Sequence, residues 1–291
     1  MGFNKPVTDL IKTRRSIRSY TREKIKPVIY KDIIRILKSK HDNIFDSRPR
    51  FKLIDTTGME PESIKTLGTY GLITGARYFI AGITREEDEK YGIIDFGYVF
   101  EKIILHMTDL GLGTCWLGGT FNRKGFSNKV GIKNGELLTG VSPVGYGINK
   151  RRLKDSAVRM FAGSDRRKPW DKLFFNNSFS VPLEKDDRDP YSLPLEMVRL
   201  GPSATNLQPW RIIREEGNIF HFFMKRSRAY SNKPDHRNLQ YIDMGICLCH
   251  FGLTAQEMEF GGKWQRMEGT GEDKEYRIPP NNEYIISWLG Q

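Results

Sequence analysis

Two long stretches of this chain carry apolar residues at helical spacing, and they are nearly the same stretch twice. In IIDFGYVFEKIILHMTDLGLGTCW (93–116), Val99, Ile103 and Met107 share one face; in YIDMGICLCHFGLTAQEMEFGGKW (241–264), Cys247, Phe251 and Ala255 do. At a constant offset of 148 residues, Ile94-Asp95 pairs with Ile242-Asp243, Gly97 with Gly245, Leu105 with Leu253, Gly113 with Gly261 and Trp116 with Trp264. The pattern predicts two long helices with Asp95 and Asp243 as N-caps, stopped by Gly111 and Gly261. Short apolar runs follow suit: FKLIDTTG (51–58) resembles WRIIREEG (210–217), and RYFIAGIT (77–84) answers IFHFFMK (219–225). A last apolar strand, YIISWLG (284–290), completes a sheet.

A unit repeated in one order predicts a duplication. The expected fold class is α+β, with helices around antiparallel-dominated sheets, in two related halves at 1–175 and 176–291. The economical origin is a former homodimer fused about a pseudo-two-fold axis, an internal pseudo-dimer that makes a monomer the expected state.

The differences between the halves then carry information. Half one has TRRSIRSYTREKI (13–25) and the glycine-rich GLGTCWLGGTF (111–121); half two has GPSATNLQPW (201–210) instead. Each half keeps what the other lacks, which predicts one ligand site at their seam. Arg14, Arg15, Ser16 and Arg18 are phosphate-binding groups by chemistry. Bare glycine N–H groups can approach a planar ligand, and Ser203, Asn206 and Gln208 can read a heterocycle edge. Together these describe a nucleotide or flavin site.

The 291 residues suffice for one large core or two modest ones, and the 38% hydrophobic and 12% aromatic content is that of a globular protein. No run is long and apolar enough for a membrane helix, and the N-terminal residues lack a signal-peptide core. Cys115, Cys247 and Cys249 have no disulfide-framework spacing, so the expected compartment is the cytoplasm. On a helix Cys247 and Cys249 point to different sides and read as small buried hydrophobes, not metal ligands. Cys115 reads as structural, and His106 and His250 as structural or exposed. The net charge of +12 is densest at 150–170. It fits a solvated surface or an anionic small molecule better than nucleic acid, which would bring a recognisable motif and stacking aromatics.

The RRSIRSY opening, PSATNLQPW and the DFG…LGLGTCWLGG segment resemble the FMN-dependent nitroreductase superfamily, and the fused halves resemble its TM nitroreductase subgroup. The resemblance implies FMN held at the interface of the halves. Residue by residue, it implies that Arg14, Arg15, Ser16 and the late basic Arg167 grip the phosphate, with Arg18 near the pyrimidine end. Trp116, Leu117, Gly118 and Gly119 would run along the N5 edge, and Pro202, Ser203, Ala204, Asn206 and Gln208 would line the ring or its ribityl chain. It further implies hydride transfer from NAD(P)H to a small-molecule electron acceptor, a nitroaromatic or quinone, in a ping-pong cycle. With no nicotinamide-binding element to match, flavin binding, storage or sensing without turnover stays open, as does, more distantly, a basic nucleic-acid-associated protein.

Overall fold

The structure is a computed structural model that describes residues 2–59, 67–148, 166–227, 234–267 and 276–291, with the side chains of 234–238 outside that description. Most of the basic segment, 150–165, and the polar stretch 268–275 therefore lie outside the described residues. The chain divides into two compact units, Met1–Arg159 and Met160–Gln291.

In the first unit, α1 (Val7–Thr13) and α2 (Pro27–Lys38) precede β1 (Arg50–Asp55) and β2 (Tyr78–Arg85). The long α3 (Lys90–Asp109), β3 (Gly113–Thr114), α4 (Arg123–Val130) and β4 (Glu136–Gly145) follow. The sheet order is β1-β2-β4-β3, antiparallel throughout. α3 packs on β2 and β3. Phe79, Ala81, Leu117, Phe121, Phe126, Val130 and Val141 build a separate apolar cluster with α4.

The second unit holds β5 (Phe174–Asn176), α5 (Ser192–Leu200), β6 (Trp210–Glu215), β7 (Ile219–Lys225), α6 (Pro234–Glu257), β8 (Gly262–Gln265) and β9 (Asn282–Gly290). Its sheet order is β5-β6-β7-β9-β8. Without β5 this is the first sheet again, β6 standing for β1, β7 for β2, β9 for β4 and β8 for β3. Even the irregularity recurs, as the register shifts at Gly82/Ile83 in β2 and at Phe222/Phe223 in β7. Among the named strands of the described residues, β5 is the one that pairs in parallel, with β6, and the boundary expected at 175/176 runs through it.

Both predicted long helices are present, but three of their four predicted punctuation marks are displaced. Asp95 and Asp243 are not N-caps, because the helices start earlier, at Lys90 and Pro234. Both carboxylates are buried inside the helices, where they reach a loop of their own unit. Asp95 accepts the N–H groups of Ile44, Phe45 and Ser47 at 2.9–3.1 Å, and Asp243 accepts that of Ala204 at 2.9 Å. Short polar side chains that look like caps are here tertiary acceptors for the loop entering β1 or β6.

Gly111 does take the left-handed turn after α3, at φ 75°. After α6 that turn falls on Glu259, at φ 58°, and not on Gly261. Leu112 N–H donates to the Met107 carbonyl and Phe260 N–H to that of Ala255, so the stop has the same form twice. Gly261 is small for another reason, since a Cβ there would collide with the Gln291 side chain.

Candidate functional site

The RRSIRSY segment of the first unit is extended and pinned along its length. Ile17 N–H donates to the Thr114 carbonyl (2.8 Å), Thr74 N–H to that of Arg18 (2.8 Å), Ile148 N–H to that of Ser19 (2.9 Å) and Thr21 N–H to that of Tyr146 (3.0 Å). Ser16 thereby bridges β3 in parallel register. The Ile17 side chain lies against Gly113 and Gly147, where any Cβ would crowd it. Alternation along extended backbone sends Arg14, Ser16 and Arg18 to the opposite side.

Those three side chains are under-bonded among the described residues. The Ser16 hydroxyl and the Arg18 guanidinium make no hydrogen bond, and Arg18 Nη1 is sealed from solvent. Arg14 is only 7% exposed. Its Nε lies 3.7 Å from Glu101 Oε1, an ion pair without a hydrogen bond, and its terminal nitrogens have no hydrogen-bond partner. Burial lowers the Arg14 pKa and Glu101 opposes that pull. Arg15 does not join them. It is exposed and donates to the Lys12 and Arg14 carbonyls, closing the end of α1.

The glycine-rich segment divides. Trp116 donates its indole N–H to Glu101 Oε2 at 2.6 Å and meets Phe100 edge-on at 4.7 Å between centroids. Leu117 is a core residue whose N–H donates to the Val141 carbonyl, so that donor is engaged. The N–H groups of Gly118 and Gly119 make no hydrogen bond among the described residues, and Gly119 is exposed. Cys115 is buried, its N–H donating to Ser142 Oγ. Glu101 is the functional candidate that sequence reasoning missed.

In the second unit, 201–209 is a tight loop with left-handed backbone at Thr205, Asn206 and Gln208 (φ 47°, 56° and 46°). Each non-glycine residue in that region costs about 1–2 kcal/mol, so the loop needs a frame. Its own polar groups supply one. Ser203 Oγ accepts from Gln208 N–H at 2.9 Å. Gln208, 1% exposed, accepts Lys168 N–H on Oε1 at 2.9 Å and donates to the Asn206 carbonyl at 3.2 Å. Arg167 donates to Asn206 Oδ1 (2.5 Å) and to the Leu200 carbonyl (2.9 Å), while Asn206 Nδ2 donates to the Arg166 carbonyl (2.7 Å). Asn206, Gln208 and Arg167 thus shape the loop, leaving Pro202, Ser203 and Ala204 partly exposed upon it.

Cations gather under this loop. Lys168 donates to the Leu207 carbonyl at 2.5 Å, and the buried Arg211 donates to the Gln208 and Trp210 carbonyls at 3.0 and 2.6 Å. Burial, then Arg211 and Lys225, pull the Lys168 pKa down to about 8. Asp243, held against Ala204 N–H, has its pKa pushed up to about 8 by burial, and its Oδ2 has no hydrogen-bond partner among the described residues.

The remaining candidates are structural. His106 stacks on Phe3 at 4.1 Å, with burial lowering its pKa to about 4. His250 is buried with Nδ1 2.8 Å from the Met197 carbonyl, and Cys247 and Cys249 are buried in α6. Among the described residues no helix is long and apolar enough to cross a membrane.

A family model described as "Putative TM nitroreductase" matches residues 6–255. Among solved structures, a nitroreductase from Thermotoga maritima is 18% identical, with a TM-score of 0.60 over 99% of this chain and 95% of its own, which shows a common fold. An FMN-dependent nitroreductase from Clostridium difficile (19% identical, TM-score 0.40) covers 49% of this chain and 88% of its own. An NADH dehydrogenase/NAD(P)H nitroreductase from Bacteroides thetaiotaomicron (19%, 0.42) covers 51% and 90%. No curated protein matches the sequence.

Proposed function

Because this chain belongs to the TM nitroreductase family, we propose that it is an FMN-dependent oxidoreductase that uses NAD(P)H to reduce an electron-poor small molecule, a nitroaromatic or a quinone. The observation that carries the reading is the row Arg14, Ser16 and Arg18, three phosphate-type donors on one side of a pinned backbone and without hydrogen-bond acceptors among the described residues. Their chemistry fits a phosphate-bearing cofactor: a buried guanidinium whose terminal nitrogens are unengaged is already desolvated for an anion.

When bound, FMN would supply hydride chemistry at N5, and the protein's part is position and charge. Arg14 and Ser16 would grip the phosphate, and Arg18 would add positive charge toward the ring. The N–H groups of Gly118 and Gly119 are the free donors for a ring edge. From the second half, Pro202, Ser203 and Ala204 are the proposed contacts, with Asn206, Gln208 and Arg167 as their frame.

The test compares FMN with riboflavin, which lacks only the phosphate. FMN should bind about ten- to a hundredfold more tightly, the worth of charge-assisted bonds of about 1.5–3 kcal/mol. Arg14→Ala and Ser16→Ala should each narrow that gap, whereas Arg18→Ala should weaken both flavins alike. Equal affinity for the two flavins would defeat the assignment. Steady NAD(P)H oxidation on adding a quinone separates a reductase from a protein that only stores or senses flavin.

A further inference from the structure

Glu101 lies in the middle of α3 with 0% exposure, and its two oxygens face different segments. Oε2 accepts the Trp116 indole N–H at 2.6 Å, and Oε1 stands 3.7 Å from Arg14 Nε. Burying a carboxylate costs several kcal/mol unless it is paired, so its presence in a helix otherwise lined by Phe96, Phe100, Ile104 and Leu105 calls for a reason.

The duplication supplies a control for that reason within the same chain. At the repeat offset, Trp116 corresponds to Trp264 and Glu101 to Cys249. The second unit keeps the helix and the tryptophan, which packs edge-on against Phe222, Phe251 and Trp288. It has no counterpart of the RRSIRSY segment. The tryptophan's place in the fold therefore does not require the carboxylate. The carboxylate occurs in the copy that carries Arg14.

We propose that Glu101 is a positioning residue that ties the Arg14 guanidinium and the Trp116 indole together, so that one buried carboxylate aligns the phosphate-binding end of the site with its ring-edge end. This rests on the flavin reading above. Glu101 meets no ligand itself. It anchors the inner nitrogen of Arg14 and leaves the terminal fork to the anion, and through its other oxygen it fixes the indole plane against Phe100.

The test is a double-mutant cycle on FMN affinity, R14K with W116F, run in the wild-type and E101Q backgrounds. A glutamine can accept from one of the two donors but must turn its amide N–H groups toward the other. With the carboxylate present, the joint variant should depart from the product of the single effects by about three- to tenfold. In the E101Q background the two effects should simply multiply. Multiplication in both backgrounds would overturn the proposal, because a merely structural Glu101 predicts no such coupling. A readout independent of flavin is the Trp116 indole N–H resonance in cofactor-free protein. R14K should move it while Glu101 is present and leave it still in the E101Q background; no movement in either would overturn the coupling. If the wild-type protein binds no FMN at all, the flavin reading fails and the resonance alone decides Glu101.

Discussion

Replacing Asp243 with asparagine should make the protein more stable as pH rises, relative to wild type, and the size follows from where the carboxylate sits. Asp243 is 3% exposed and, among the described residues, receives one N–H, from Ala204, and has no hydrogen-bond partner at Oδ2. Burial lifts its pKa from 3.8 to about 8. An unfolded chain releases this proton near the lower value and the folded chain keeps it until the upper one. Between them the folded state binds more protons, so stability falls as pH rises through that window and is flat outside it. Each pH unit within it is worth about 1.4 kcal/mol, so the wild type should lose roughly 4 kcal/mol between about pH 5 and pH 8. An asparagine at this position cannot titrate, and its Oδ1 can still accept from Ala204, so Asp243→Asn should escape that loss. Urea unfolding of both proteins across the window measures the difference. Parallel pH profiles would refute the reasoning, since they would mean that Asp243 titrates alike in folded and unfolded chains. The counterpart Asp95 also has its pKa raised by burial, but it differs in its hydrogen bonding. Its two oxygens accept from three backbone N–H groups, so Asp95→Asn turns an amide donor toward other donors and should cost about 1–3 kcal/mol at neutral pH.

Glu259→Gly should raise stability by about 1 kcal/mol, because the residue after α6 sits at φ 58° with a side chain attached; thermal melting reads it, and Gly111→Ala should move Tm the other way. Gly82→Ala should cost about 1–3 kcal/mol, since the new methyl would collide with the Phe96 ring beside the β2 register shift; an unchanged Tm would mean the sheet relaxes there. Gln208→Ala should loosen the 201–209 loop, seen as faster amide exchange at Lys168 and at position 208, because both the Lys168 N–H acceptor and a donor to Asn206 are lost.

The regular elements were legible because periodicity reports which faces are apolar, and a pattern present twice is hard to mistake. IFHFFMK is β7 residue for residue, and the two long helices lie where the repeat put them. What sequence could not separate was the direction of short polar side chains. Asp95 and Asp243 have the chemistry of caps, yet that same chemistry serves a loop distant in the chain. Asn206 and Gln208 have the chemistry of edge readers, yet much of it is turned onto the loop's own backbone. Glu101 was invisible for a different reason, as a single acid in a helix reads as a solvated position. The available signal was the comparison of halves, a carboxylate in one copy against a cysteine in the other.

The parallel strand β5 follows from arithmetic on the chain. Two copies of a unit joined end to end have one joint, and β5 lies in the stretch that joins them, after β4 and before α5. Whatever the joint builds can be built only once. It adds a strand to β6, while β1, the matching strand of the other sheet, pairs only with β2 among the described residues. A bare strand edge invites pairing with another chain, and β1 carries Arg50 and Lys52, engaged with Glu136 and the Val130 carbonyl, as charged guards. The asymmetry between the sheets therefore follows from the joining of two related halves in one chain, and it would persist even if both had identical sequences.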